Sequence, residues 1–123
     1  MNGVDYLIDT NILVYILQGN PLVRYFAEEE TLVVSCITEM EILGKFQISE
    51  PEKKIINELL QRSNVIDITY KIKQTAIQLK QNYRLKLPDA IIAATAIQQS
   101  LTLVTADKDF AKIAELDLIL INL

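Results

Sequence analysis

The sequence predicts a three-layer α/β/α sandwich built on a mainly parallel sheet of four to five strands. Three observations lead there. Short apolar runs rich in β-branched residues alternate with stretches of helical period along the chain. The first of them, bounded by Gly3 and by Thr10-Asn11, is too brief for a free-standing helix and reads as a buried strand. One helical stretch, Ala90 to Ile97, is apolar on nearly every face and therefore needs burial on all sides.

The elements follow in order. Residues 4–9 form the first strand and Asn11 to Leu17 a helix, which Gly19-Asn20-Pro21 stops, Gly19 as the C-terminal cap and Pro21 as breaker or next start. A short helix from Pro21 to about Glu29 precedes the strand Leu32 to Ser35. From Ile37 the pattern is helical, with Thr38 as N-cap and Ile37, Met40, Gly44 and Ile48 along one stripe. Ser49-Glu50-Pro51-Glu52 opens a helix in capping-box form, running to about Arg62 with Ile55, Ile56, Leu59 and Leu60 inward. Asn64 to Ile68 is the third strand, and Thr69 to about Tyr83 a long amphipathic helix with Ile72, Ala76, Leu79 and Tyr83 on its buried face. Pro88-Asp89 starts the apolar helix. Leu101 to Thr105 is the fourth strand, followed by a short helix from Phe110 to Leu116 and a last strand from Leu118 to Ile121. Repeats, low-complexity tracts and linkers are absent, so residues 1–123 are expected to form one domain.

Composition narrows the chemistry. A chain of 123 residues buries roughly two-thirds of its unfolded surface and needs no staples. Its single cysteine, Cys36, excludes an internal disulfide and fits a reducing compartment as a small buried hydrophobe. With no signal-like N-terminus and no apolar run of membrane-spanning length, a soluble cytoplasmic protein is expected, with no membrane partner. Histidine is absent, which removes His-based zinc sites, Ser-His nucleophiles and paired-imidazole nucleases together. Catalysis must then rest on carboxylates, hydroxyls or a metal. The net charge of −4 opposes broad attraction to nucleic acid, although a bound divalent cation reverses the field locally. Half of the residues are hydrophobic, a supply large enough that some apolar surface is expected to be covered by a partner or a second copy.

Four carboxylates stand where a site would form. In an open parallel sheet, ligands bind outside the carboxyl ends of the strands, where the strand order reverses. Asp9 and Asp107 both lie just past such ends, with Thr10 and Thr105 beside them to orient a carboxylate. The ordinary reading of each, and of Asp109, is a turn former or helix cap. Glu41 fits a capping box with Thr38, yet shares the inward stripe with Ile37, Met40 and Gly44, where an unpaired carboxylate is costly and a metal relieves the cost. Glu39 points elsewhere. Asp89 is a first-turn acid favoured by the helix dipole, but it opens the most apolar helix, with Ala93 and Ala96 on its face. Acids without histidine or thiolate partners are the donor set for Mg²⁺ or Mn²⁺, which can activate water and neutralise a phosphodiester, as one ion or a pair. Lys45, Arg84, Lys86 and Lys108 are candidate phosphate contacts, with solvated surface charge as the preferred reading.

Four motifs together carry a family resemblance: Asp9-Thr10-Asn11 after an apolar strand, Thr38 to Leu43, Pro88 to Ala94, and Leu103 to Phe110. In this order and spacing, over almost the whole chain, they resemble a PIN domain, most closely a VapC-type toxin of a toxin–antitoxin pair. The resemblance implies a Mg²⁺- or Mn²⁺-dependent endoribonuclease in which Asp9, Glu41, Asp89 and Asp107 match the acidic positions. Asp109 matches a position that is sometimes a further acid, and Thr10, Asn11 and Thr105 read as supporting residues. It also implies RNA as substrate, a homodimer, and an antitoxin that covers the site. The chain departs from the pattern in its early glycine, Gly44, followed by Lys45-Phe46. Three alternatives stand beside it. A phosphotransferase with Asp9 as nucleophile wants a second acid two residues on, where Asn11 stands. A signalling receiver domain would use Asp67. A PIN-like fold can also serve only as a binding scaffold.

Overall fold

The computed structural model describes residues 5–28 and 31–122. Val4 and Glu29, included in the expected first strand and second helix, lie outside them. Among the described residues five strands form one parallel sheet, in the order β3-β2-β1-β4-β5, where β1 is Tyr6–Ile8, β2 Val33–Ser35, β3 Asn64–Ile66, β4 Thr102–Thr105 and β5 Leu118–Leu120. The chain builds outward from β1 to β2 and β3, then crosses to the other side of β1 for β4 and β5. The order therefore reverses between β1 and β4, the place where an open sheet receives ligands.

Successive residues of each strand face opposite layers. Leu7 and Leu103 pack with Ile72, Ala76 and Leu79 of α5 (Tyr70–Asn82) and with Ala90, Ala93 and Ala94 of α6 (Leu87–Gln98). Ile8, Val34 and Val104 face Ile12 and Leu13 of α1 (Thr10–Leu17), Phe26 of α2 (Arg24–Ala27), and Ile56, Leu59 and Leu60 of α4 (Glu50–Gln61). Alanines on α6 let it lie close to both α5 and the sheet, and Ala90, Ala93, Ala94 and Ala96 are fully buried. The three-layer sandwich expected from the sequence is thus the fold.

Local signals explain most boundaries. α1 ends at Leu17, and Gly19 follows at a φ of 71°, the left-handed conformation that a residue without Cβ adopts freely. Ser49 and Glu52 make the reciprocal capping box that opens α4. Thr69 caps α5 by accepting from the Ile72 amide.

Several expectations fail for identifiable reasons. The cap of α3 (Cys36–Leu43) is Ser35, which accepts from the Ile37 amide, and not Thr38. β2 passes into α3 with no loop between them, so the last strand residue is also the helix cap. Thr38 is buried within the helix instead. The inward face of α3 is Cys36, Thr38 and Ile42; Met40 is 56% exposed, and the helix ends before Gly44 and Ile48. Ile55 likewise faces outward on α4, at 56% exposure. The helix expected over 110–116 is a 3₁₀ segment, Lys108–Lys112. The short helix after Pro21 begins as a 3₁₀ turn, Pro21–Val23, before α2.

Candidate active site at the carboxyl ends of the central strands

Strand register builds this site. Ile8 of β1 pairs with Val104 of β4, and the Asp9 amide continues the ladder by donating to the Val104 carbonyl at 3.0 Å. The next residues on the two strands, Asp9 and Thr105, therefore come side by side. Thr105, fully buried, donates its hydroxyl to Asp9 Oδ2 at 2.6 Å, and the Thr10 amide donates to Asp9 Oδ1 at 2.9 Å. Asp9 is thus both the N-cap of α1 and a buried carboxylate of the sheet's central cleft. Thr105 Oγ1 also accepts from the Asp107 amide at 3.0 Å, and Asn11 Oδ1 accepts from the Ala106 amide at 3.2 Å. These bonds fasten the turn after β4 to the start of α1.

The other acids arrive from three further elements. Glu41, on α3, is exposed and not on a buried stripe; its place is set by Thr10, whose hydroxyl lies 2.6 Å from Glu41 Oε1 and 3.0 Å from the Thr38 hydroxyl. The desolvation cost expected for it is therefore absent. Asp107 caps the 3₁₀ segment by accepting from the Asp109 amide at 2.9 Å. Asp89 stands in the first turn of α6, half-buried, and among the described residues no donor holds its carboxylate. Glu39 takes no part in these bonds. Thr38 is the residue that sequence reasoning misassigned, although its position three before Glu41 places both on one helix face.

Electrostatics ties the four acids together. Burial pushes the Asp9 carboxyl above its ordinary value; the bonds from Thr105 and Thr10 oppose this, and the charges of Glu41 and Asp107 add to it. Asp89 is also raised, first by burial and then by Asp107, Asp9 and Glu41, with Lys86 opposing. The ion pairs of the described residues, Lys45 with Glu52 and Lys53 with Glu50, lie elsewhere, so no lysine or arginine pairs directly with these acids. Surplus negative charge on oxygen donors is the chemistry a hard divalent cation satisfies. Among the described residues no group of three or more acidic, histidine or cysteine side chains is arranged to hold a metal as it stands. Closing on a cation therefore requires side chains to rotate, and Asp89, held by no donor, has that freedom.

Asp67 does not join the cleft. It follows β3, the edge strand, exposed and separated from β1 by β2. A receiver-like sheet, ordered 2-1-3-4-5, would place β3 beside β1, so that alternative fails on topology.

Comparisons with known proteins agree with this arrangement. The PIN domain sequence model matches residues 6–116. A toxin–antitoxin complex from Klebsiella pneumoniae contains a similar chain, 34% identical, with a TM-score of 0.79 over 94% of this chain and 96% of that one. VapBC2 from Rickettsia felis, bound to a DNA fragment from its promoter, is 26% identical, with a TM-score of 0.79 over 94% and 98% of the two chains. VapBC-1 from nontypeable Haemophilus influenzae is 27% identical, with a TM-score of 0.78 over 95% and 98%. No curated protein sequence gives a significant match. The family match over most of the length, on a parallel sheet with its acids at the strand-order reversal, means that this chain belongs to the PIN domain family.

Proposed function

We propose that this chain is a Mg²⁺- or Mn²⁺-dependent endoribonuclease, the toxin of a type II toxin–antitoxin pair acting in the cytoplasm as a single domain. The observation that carries the reading is the geometry of the β1/β4 crossover, where strand register sets Asp9 beside Thr105, Thr105 holds the turn to Asp107, Thr10 holds Glu41, and no cationic side chain forms an ion pair with Asp9, Glu41, Asp89 or Asp107 among the described residues. Asp9, Asp89 and Asp107 would hold the cation, which when bound lowers the pKa of water and neutralises charge on a phosphodiester. Asp9 is kept in place by Thr105 and Thr10, and Glu41 by Thr10, so two threonines position two acids before substrate arrives. Asn11 holds the turn that carries Asp107 through the Ala106 amide. Asp109, exposed beside Asp107, supports the same turn through its amide.

Partners follow from the relatives and the surface. Similar chains in toxin–antitoxin complexes support a cognate antitoxin. An apolar groove of about 380 Å³ lined by Val14, Leu17, Ile42, Ile55 and Ile56 supports the docking of an apolar helix. A homodimer is the assembly that the family resemblance implies. No helix among the described residues is long and apolar enough to cross a membrane.

The test is RNA cleavage by the purified chain. Cleavage is expected with Mg²⁺ or Mn²⁺, not with Ca²⁺, and is expected to stop on chelation. Asp9→Asn is expected to fold and to lose activity roughly a thousandfold, the equivalent of several kcal/mol of transition-state stabilisation. Cleavage indifferent to chelator, or undiminished in Asp9→Asn, contradicts the mechanism. A catalytically silent scaffold is the second reading, favoured by the lack of three acids pre-arranged around a metal among the described residues. It predicts RNA binding without cleavage under every cation.

A further inference from the structure

Arg84 and Lys86 stand apart from the other basic residues named in the sequence. Lys45 is occupied by Glu52 at 2.8 Å, and Lys108 lines a separate cavity with Tyr15 and Ile121. Arg84 and Lys86 line a cavity of about 470 Å³ together with Lys80, Tyr83, Asp89 and Asp109. That cavity adjoins the acidic cleft, since Asp89 belongs to both.

The segment that presents them is braced at successive residues. Tyr83 is extended, at φ −137° and ψ 151°, and so is Lys86, at φ −69° and ψ 151°. The Tyr83 hydroxyl donates to Glu115 Oε1 at 2.6 Å and accepts from the Ala114 amide at 3.2 Å. Lys112 donates to the Arg84 carbonyl, and Lys80 to the Leu85 carbonyl at 2.9 Å. Leu85 is buried, whereas Arg84 and Lys86 are exposed, as extended backbone alternates its side chains. Among the described residues no hydrogen bond or ion pair occupies either cationic side chain. Three of the chain's 12 lysines and arginines, Lys80, Arg84 and Lys86, thus lie on one short segment, and Lys112 reaches it from the 3₁₀ segment Lys108–Lys112, in a protein whose net charge is −4.

We propose that this cavity is the subsite for the backbone phosphates of single-stranded RNA that flank the bond to be cut, with Arg84 and Lys86 as the phosphate contacts. This rests on the ribonuclease reading above. A chain of negative net charge gains nothing from long-range attraction of RNA, so a local cationic row is what retains a strand next to four carboxylates. Arg84 offers a planar fork matched to phosphate oxygens, and Lys86 a point charge within electrostatic reach of Asp89. Tyr83, locked at its hydroxyl, walls the cavity with a fixed ring. The competing explanation is that Lys86 serves only as countercharge to Asp89.

The experiment measures binding of a fluorescein-labelled single-stranded RNA of about 16 nucleotides by anisotropy across a salt series. The protein is Asp9→Asn, so that bound RNA stays intact. Arg84→Ala/Lys86→Ala is compared with Lys54→Ala/Lys71→Ala, which removes the same charge from α4 and the start of α5. The first pair is expected to weaken binding for every sequence tried and to flatten the log–log salt slope by about 1.4, or about 0.7 per phosphate contact. The second pair is expected to leave the slope unchanged. Equal slopes for both pairs, or no RNA binding by any of these proteins, overturn the subsite. An unchanged RNA slope with lost binding of polyglutamate overturns it in favour of an acidic protein partner. The two readings separate cleanly. Cleavage by the unmodified chain with unaltered slopes rejects only the subsite, whereas a flattened slope without cleavage keeps Arg84 and Lys86 as RNA phosphate contacts but rejects the ribonuclease, and with it their place beside a bond to be cut.

Discussion

Thr105→Val removes one hydroxyl and almost nothing else from the centre of the cleft. The side chain is fully buried, so the new methyl meets no solvent. Three bonds disappear: the 2.6 Å donation to Asp9 Oδ2, the acceptance of the Asp107 amide at 3.0 Å and the long acceptance from Asn11 Nδ2 at 3.5 Å. A hydrogen bond to a charged group contributes about 1.5–3 kcal/mol, and an orphaned polar group costs about 1–3 kcal/mol, partly offset by the more apolar side chain. The net expected loss at neutral pH is about 2–3 kcal/mol. With an unfolding entropy of about 2.1 cal/mol/K per residue, each kcal/mol lowers the Tm of a chain this size by about 4 °C, so a fall of about 8–12 °C follows. The loss depends on pH with a definite sign. Asp9 already has a raised carboxyl in the folded protein, and the Thr105 bond holds it down. Without that bond it rises further. A carboxyl raised on folding contributes stability at pH below its unfolded value, and this is lost as pH rises through its folded value. The variant therefore suffers most at neutral pH and least near pH ~4, where a protonated Asp9 no longer needs the donor. Urea unfolding of the metal-free protein at both pH values measures this. An equal loss at the two, or one below about 0.5 kcal/mol at neutral pH, refutes the reasoning.

Asp89→Asn is expected to raise the Tm of the metal-free protein at neutral pH, because it removes a half-buried charge repelled by Asp107, Asp9 and Glu41; the gain shrinks as pH falls and the native carboxyl protonates. Differential scanning fluorimetry across pH reads it, and a gain that grows toward acid contradicts the assigned sign. The same variant is expected to lose the stabilisation that added Mn²⁺ gives the unmodified chain. Ser49→Ala breaks the capping box of α4 and is expected to cost about 1 kcal/mol, with RNA cleavage unchanged because Ser49 bonds only within its own helix start. A loss of activity at equal folded fraction would mean that α4 is coupled to the cleft.

Much of this was readable from residue order alone, and the failures share one cause. Asp9 and Asp107 were legible because a carboxylate after a buried strand has a fixed place in a parallel sheet, and Thr105 because it precedes Asp107 by two residues. The bond between Asp9 and Thr105 was not legible; it follows from the pairing of Ile8 with Val104, a register that connects residues 96 apart. Glu41 was assigned to the cleft through a stripe that does not exist, since α3 ends at Leu43 and exposes Met40. Its position comes from Thr10, on another helix. Ser35 was missed as a cap because it is also the end of β2, and local patterns expect a cap to stand outside the strand. Lys45 and Arg84 looked alike in sequence. Only the fold separates a lysine already paired to Glu52 from an arginine left open beside Asp89.

The coupling of the four carboxylates through a shared cation is most directly tested by a crystal structure of the protein soaked in Mn²⁺, read by anomalous scattering. The peak is expected at the β1/β4 crossover, touching Asp9, Asp89 and Asp107, with Asp89 rotated toward it and Glu41 still held by Thr10. A cleft without a peak, or one whose ion is ligated without Asp9, contradicts the shared metal site.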